Sequence, residues 1–134
     1  MGVTNVSARW TGEEHNFVGT DTKGNKIPMG GLDPSPSNLL LLGLAGCTGM
    51  DVVSILEKKR QKVTDLEIFI TGYNPDEYPR PYQVIEVKFV VKGEDINPEA
   101  VAQAIHLSET KYCMVGQTLQ NKVEIKTSFE VQPG

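Results

Sequence analysis

Hydrophobic and polar residues alternate over short runs at the start of the chain. Val6, Ala8 and Trp10 interleave with Ser7 and Arg9, a two-residue period that predicts a strand. Thr11-Gly12-Glu13-Glu14 supplies a turn after it. Phe17-Val18 and Lys26 to Met29 flank a second turn, Thr22-Lys23-Gly24-Asn25. A small β-meander is expected, followed by a loop from Met29 to Asp33 carrying Gly30-Gly31.

The pattern changes at Ser35-Pro36, where serine suits a helix N-cap and proline at the first helical position loses no needed N–H. Apolar residues run on through Leu56, with polar residues to Lys62. A helix of about 25 residues would be roughly 37 Å long. It is apolar nearly all round from Leu39 to Gly46, so it is expected to be buried. That is a large demand on a small domain, and a second subunit would meet it. Two strands are predicted next. Leu66, Ile68 and Ile70 alternate in the first, and Ile85, Val87, Phe89 and Val91 in the second, which Gly93 closes. The proline-rich stretch from Tyr73 to Pro81 is the loop between them. Asn97-Pro98-Glu99 opens another helix, with a cap, a first-turn proline and an acid in its first turn. Ser108 to Tyr112 is expected to break it. A short helix resumes near Cys113 and reaches about Gln120, and Val123 to Val131 form a last strand. The order is therefore β-meander, long buried central helix, two strands, helix pair and final strand, an α+β fold in one domain, residues 1–134.

Composition narrows the partners. The chain has 134 residues, is 39% hydrophobic and 22% charged, and carries a formal net charge of -4. An acidic balance argues against nucleic acid as a partner. The basic run Lys58-Lys59-Arg60-Gln61-Lys62 complements a helix C-terminus. No charged-then-apolar leader opens the chain. The longest uninterrupted apolar run, Leu39 to Cys47, is too short to cross a bilayer. A cytoplasmic protein with no membrane segment is expected.

Candidate chemistry lies in the two cysteines. Cys47 sits in the small-residue run Leu44-Ala45-Gly46-Cys47-Thr48-Gly49-Met50, and Cys113 in Lys111-Tyr112-Cys113-Met114-Val115. On a helical wheel Leu40, Gly43, Met50, Asp51 and Ser54 share the face of Cys47. Gly43, Gly46 and Gly49 each cost a helix about 1 kcal/mol relative to alanine. Close approach of another backbone, or room for a substrate beside a sulfur, would justify them. Cys47 is then either a small packed core residue or a reactive thiol. Cys113, near a helix N-terminus, is expected to have its thiolate favoured by the dipole. Asp51 is expected to pair with a cation or to accept backbone hydrogen bonds. His15 and His106 are too isolated to build a metal site with these cysteines.

Asp33-Pro34-Ser35-Pro36-Ser37-Asn38-Leu39-Leu40-Leu41-Leu42-Gly43-Leu44-Ala45-Gly46-Cys47, together with Leu107-Ser108 through Tyr112-Cys113-Met114-Val115, resembles the OsmC/Ohr family of organic-hydroperoxide reductases, in its OsmC-like branch. The resemblance implies an intertwined homodimer with sheets wrapped round long central helices. It implies Cys47 as the peroxidatic thiol, Cys113 as the resolving thiol, a redox-active disulfide between them, and an external thiol or dithiol as reductant. No metal or organic cofactor is implied. The family also uses an arginine from the N-terminal half, for which Arg9 and Arg80 are the candidates here. Ser37 stands where the family places a glutamate, and Met114 where a proline usually follows the second cysteine. Three functions remain open: an organic-hydroperoxide reductase, a non-catalytic dimer binding a small apolar or thiol-reactive ligand, and a cysteine-based redox sensor.

Overall fold

The computed structural model describes every residue, Met1–Gly134, and groups them into two compact units, Met1–Leu40 and Leu41–Gly134. In the first unit, β1 (Ser7–Trp10), β2 (Phe17–Thr20) and β3 (Lys26–Met29) form an antiparallel meander. Arg9 stands opposite Val18, and Phe17 opposite Met29. The turn between β2 and β3 is held by Asp21, whose carboxylate accepts from the Lys23 and Asn25 amides at 2.9 and 2.8 Å. Gly19 is the one buried residue in the three strands. Strands of four residues offer too little area to enclose a core of their own.

Helix α1 (Pro36–Lys58) begins as the sequence predicts, with Ser35 Oγ accepting from the Asn38 amide at 3.2 Å. It ends before Lys62 because Arg60 turns left-handed, at φ 59°. The Gln61 amide then donates to Leu56 O and the Arg60 amide to Glu57 O, the pair of bonds that closes a helix when its next residue is left-handed. Lys62 instead opens β4 (Lys62–Tyr73), which turns back into β5 (Val84–Glu94). Gly93 does not close β5; it pairs with Val63 on one side and Pro133 on the other.

After β5 come α2 (Pro98–Leu107), a π-helical turn (Ser108–Tyr112), α3 (Met114–Leu119) and β6 (Glu124–Pro133). Asn97 caps α2 by accepting from the Glu99 amide at 3.0 Å. The expected break at Ser108 is not a break. The helix widens by one residue, and the Cys113 amide donates to Ser108 O at 2.8 Å. β5 is the central strand, antiparallel to β4 and parallel to β6. A parallel neighbour needs a crossover, and the α2–α3 segment provides it. Ile85, Val87, Phe89 and Val91 are buried on one face of β5, while on the other face Val90 is buried and Glu86 and Lys88 are exposed.

The core joins β5 to α2, through Ala100, Val101, Ala104 and Ile105, and to the inner stripe of α1, through Leu44, Val52 and Leu56. The rest of α1 is open within this chain: Leu40, Leu42 and Met50 are 44%, 60% and 76% exposed. Taken whole, α1 is long and apolar enough to cross a membrane by length and composition, with mean hydropathy 2.0. The whole helix is thus a longer apolar element than the run Leu39–Cys47 suggests. Its inner stripe nevertheless packs on the core, as a core helix does. Of the three helical glycines, Gly49 has its reason inside the chain, since a β-carbon there would lie 2.7 Å from Ile68 Cδ1. Gly43 and Gly46 face open space.

Candidate active site

Cys47 lies midway along α1, half-buried, where the inner stripe meets the open face. Cys113 follows the π turn and is 2% exposed. Cys47 packs against the core cluster that contains Cys113, close enough for its side chain to act on the Cys113 thiol, and both side chains are free. Two cysteines far apart in sequence thus meet at one edge of the core. The meeting depends on α1 and the α2–α3 crossover both packing against β5.

Burial pushes the Cys113 thiol up to about 11. Its Sγ accepts from the Gly116 amide at 3.3 Å, which acts in the opposite direction but does not prevail. The neighbouring Cys47 side chain and the charge of Asp51 raise it further. The expectation that the helix dipole would favour thiolate here is therefore overturned. Cys113 does cap α3, but that helix has six residues and the sulfur is out of water.

Asp51, one turn after Cys47, takes neither a cation nor a backbone N–H. Ser108 Oγ donates to its Oδ2 at 3.0 Å. Ser108 Oγ also lies 2.8 Å from Thr48 Oγ1. Since the single Ser108 proton goes to the carboxylate, Thr48 is the donor in that contact. Thr48 and Ser108, at 5% and 0% exposure, are the buried polar residues of the chain, and each satisfies the other. Sequence reasoning passed over both. Thr48 was within reach, as a hydroxyl beside Cys47 three residues before Asp51, but nothing around Ser108 announces its partner.

A cavity of about 350 Å³ opens beside Cys113. Leu44, Val87, Phe89 and Ile125 give it an apolar floor, while Glu109 and Gln120 add polar groups. Neither candidate arginine lines it. Arg80 is fixed in its own loop, its Nε donating to Pro75 O at 2.7 Å and its guanidinium lying 5.9 Å from the Tyr78 ring centroid. Arg9 is exposed on β1, where it borders a shallow groove with Ser7, Val18 and Lys26, and it forms no ion pair within the chain.

Comparison with known proteins follows the same outline. The Escherichia coli K12 protein YhfA is 40% identical over 127 residues, covering 92% of this chain and 94% of that one. A crystal structure of a hypothetical protein from Aquifex aeolicus matches with a TM-score of 0.91 at 34% identity, over 100% of this chain and 99% of that chain. The organic hydroperoxide resistance protein OhrB of Bacillus subtilis matches in fold, with a TM-score of 0.64 at 16% identity, over 96% of this chain and 98% of its own. The family model described as OsmC-like protein matches residues 29–128, a span that holds α1, β4, β5, the crossover helices, the first half of β6 and both cysteines. The chain belongs to the OsmC-like family.

Proposed function

We propose that residues 1–134 act as one OsmC-like domain that reduces organic hydroperoxides to alcohols at the expense of thiols, in the cytoplasm. The observation that carries this reading is the packing of Cys47 against the core cluster that holds Cys113, which itself borders a largely apolar cavity. Cys47, the more accessible sulfur, attacks the peroxide O–O bond as thiolate. The distal oxygen stays on sulfur as sulfenic acid, and the alkoxide leaves as alcohol after taking up a proton. The Cys113 thiol then attacks that sulfur. A disulfide forms, and the hydroxyl departs with the Cys113 proton as water. An external thiol or dithiol restores both thiols. Apolar cavity walls favour an alkyl or aryl hydroperoxide over hydrogen peroxide. The family resemblance calls for an arginine at the peroxide, for which Arg9 and Arg80 are both candidates.

The family membership supports a homodimer. A second copy would cover Leu42 and Met50 on the open face of α1 and use the close approach that Gly43 and Gly46 allow. A second reading, binding of an apolar ligand without turnover, is favoured by the fact that Cys113 and not Cys47 lines the cavity.

The test treats reduced protein with cumene hydroperoxide or hydrogen peroxide and maps cysteine oxidation by mass spectrometry. A fast, stoichiometric Cys47–Cys113 disulfide is expected, faster with the organic peroxide. Cys113→Ser should stop at sulfenic acid on Cys47, Cys47→Ser should be inert, and comparing Arg9→Ala with Arg80→Ala identifies the arginine that speeds the first step. Thiols that stay reduced over many minutes would leave ligand binding as the better account.

A further inference from the structure

We infer that Ser108 is a positioning residue for the thiol pair, a clamp that holds Cys113 against Cys47 by tying the π turn to α1. The inference rests on the reading of the two cysteines as a redox couple. Ser108 is bonded at both ends of the relationship. Its side chain joins α1 through Thr48, the neighbour of Cys47, and through Asp51, one turn further on. Its main-chain carbonyl accepts the Cys113 amide.

The wider turn decides which residue arrives at the core. In continued α geometry the amide reaching Ser108 O would be that of Tyr112. The π turn delivers Cys113 to that bond instead. Cys113 is accordingly 2% exposed, whereas Tyr112 is 52% exposed. A single π turn gives up regular helical hydrogen bonding, so it persists where surrounding contacts fix it. Here the contacts are a closed hydroxyl chain, Thr48 to Ser108 to Asp51, with Ser108 wholly buried. Loss of one hydroxyl leaves the other polar groups without a partner and frees the turn to relax.

The clamp is tested without relying on peroxide chemistry. Wild type, Ser108→Ala, Thr48→Val and Thr48→Ser are equilibrated with oxidised and reduced dithiothreitol, and the Cys47–Cys113 disulfide is quantified. Oxidised dithiothreitol takes up the two electrons and two protons that the protein thiols release, so the exchange balances. Ser108→Ala and Thr48→Val should lower the equilibrium constant for disulfide formation about ten-fold, the size of one buried hydrogen bond, and Thr48→Ser should retain it. With cumene hydroperoxide, the first two variants should accumulate dimedone-trapped sulfenic acid on Cys47 while its rate of formation is unchanged. If Ser108→Ala does not fold, the two Thr48 variants decide. Equal constants in all folded variants would overturn the clamp, as would Thr48→Ser falling as far as Thr48→Val. A shifted dithiothreitol equilibrium in a protein indifferent to peroxide would support the clamp and overturn the hydroperoxide reading alone. A wild-type protein that forms no disulfide under either oxidant would overturn both.

Discussion

The two cysteine-bearing regions reach the same place by opposite means. Cys47 is carried on a long regular helix, at the line where a buried stripe gives way to an open apolar face. Cys113 sits where regular structure is interrupted, between a π turn and a six-residue helix, and is almost wholly enclosed. A regular helix supplies a rigid platform with one side free for a reactant. An irregular turn supplies a buried sulfur whose position depends on a few specific hydrogen bonds. The contrast explains the division of labour proposed above. The thiol that meets substrate needs access, while the thiol that resolves needs proximity to the first.

The comparison predicts unequal responses on the two sides of α1. Leu44, at 3% exposure, packs toward Cys113 and Gly116, whereas Leu42 is 60% exposed. Leu44→Ala should cost about 2–5 kcal/mol in urea unfolding, as a buried leucine truncation does. Leu42→Ala should change the stability of an isolated chain by no more than about 0.5 kcal/mol and should act on dimer association instead. Equal losses would mean that the open face is packed by something other than this chain.

A smaller effect separates the sulfurs themselves. Iodoacetamide at pH 8 should label Cys47 at least about ten-fold faster than Cys113, because only the thiolate of an accessible cysteine reacts. Peptide mapping after short exposures reads the ratio, and parity would break the contrast between an open and an enclosed thiol.

The smallest signal is in pH. The folded state raises Cys113 from 9.0 to about 11, so between those values the native chain holds a proton that the unfolded chain has lost. That contribution is fully present below pH 9 and is lost as pH rises through about 11. Thermal melts of the reduced protein should show the decline, and Cys113→Ala should flatten it.

The hydrophobic pattern already contained α1, its Ser35 cap, the Asn97 cap of α2 and the identity of the strands, because these depend on residues adjacent in sequence or one helical turn apart. The family resemblance also rested on runs of neighbouring residues round Cys47 and Cys113. What the pattern missed depends on five-residue backbone bonds that the hydrophobic period does not register and on contacts across the chain. Gln61 closing on Leu56 ended α1 early, and the wider turn after Ser108 continued a helix that seemed to stop. Desolvation reversed the expected effect of the α3 dipole on Cys113. Asp51 found its partner in a serine of the crossover segment, which no local rule could supply. The sequence by itself determined which residues could carry the chemistry and which elements would bear them, through local periodicity and capping. Only the tertiary structure decided that Cys47 and Cys113 meet and that Ser108 ties their elements together, because burial and long-range hydrogen bonds exist only once α1 and the crossover have packed against β5.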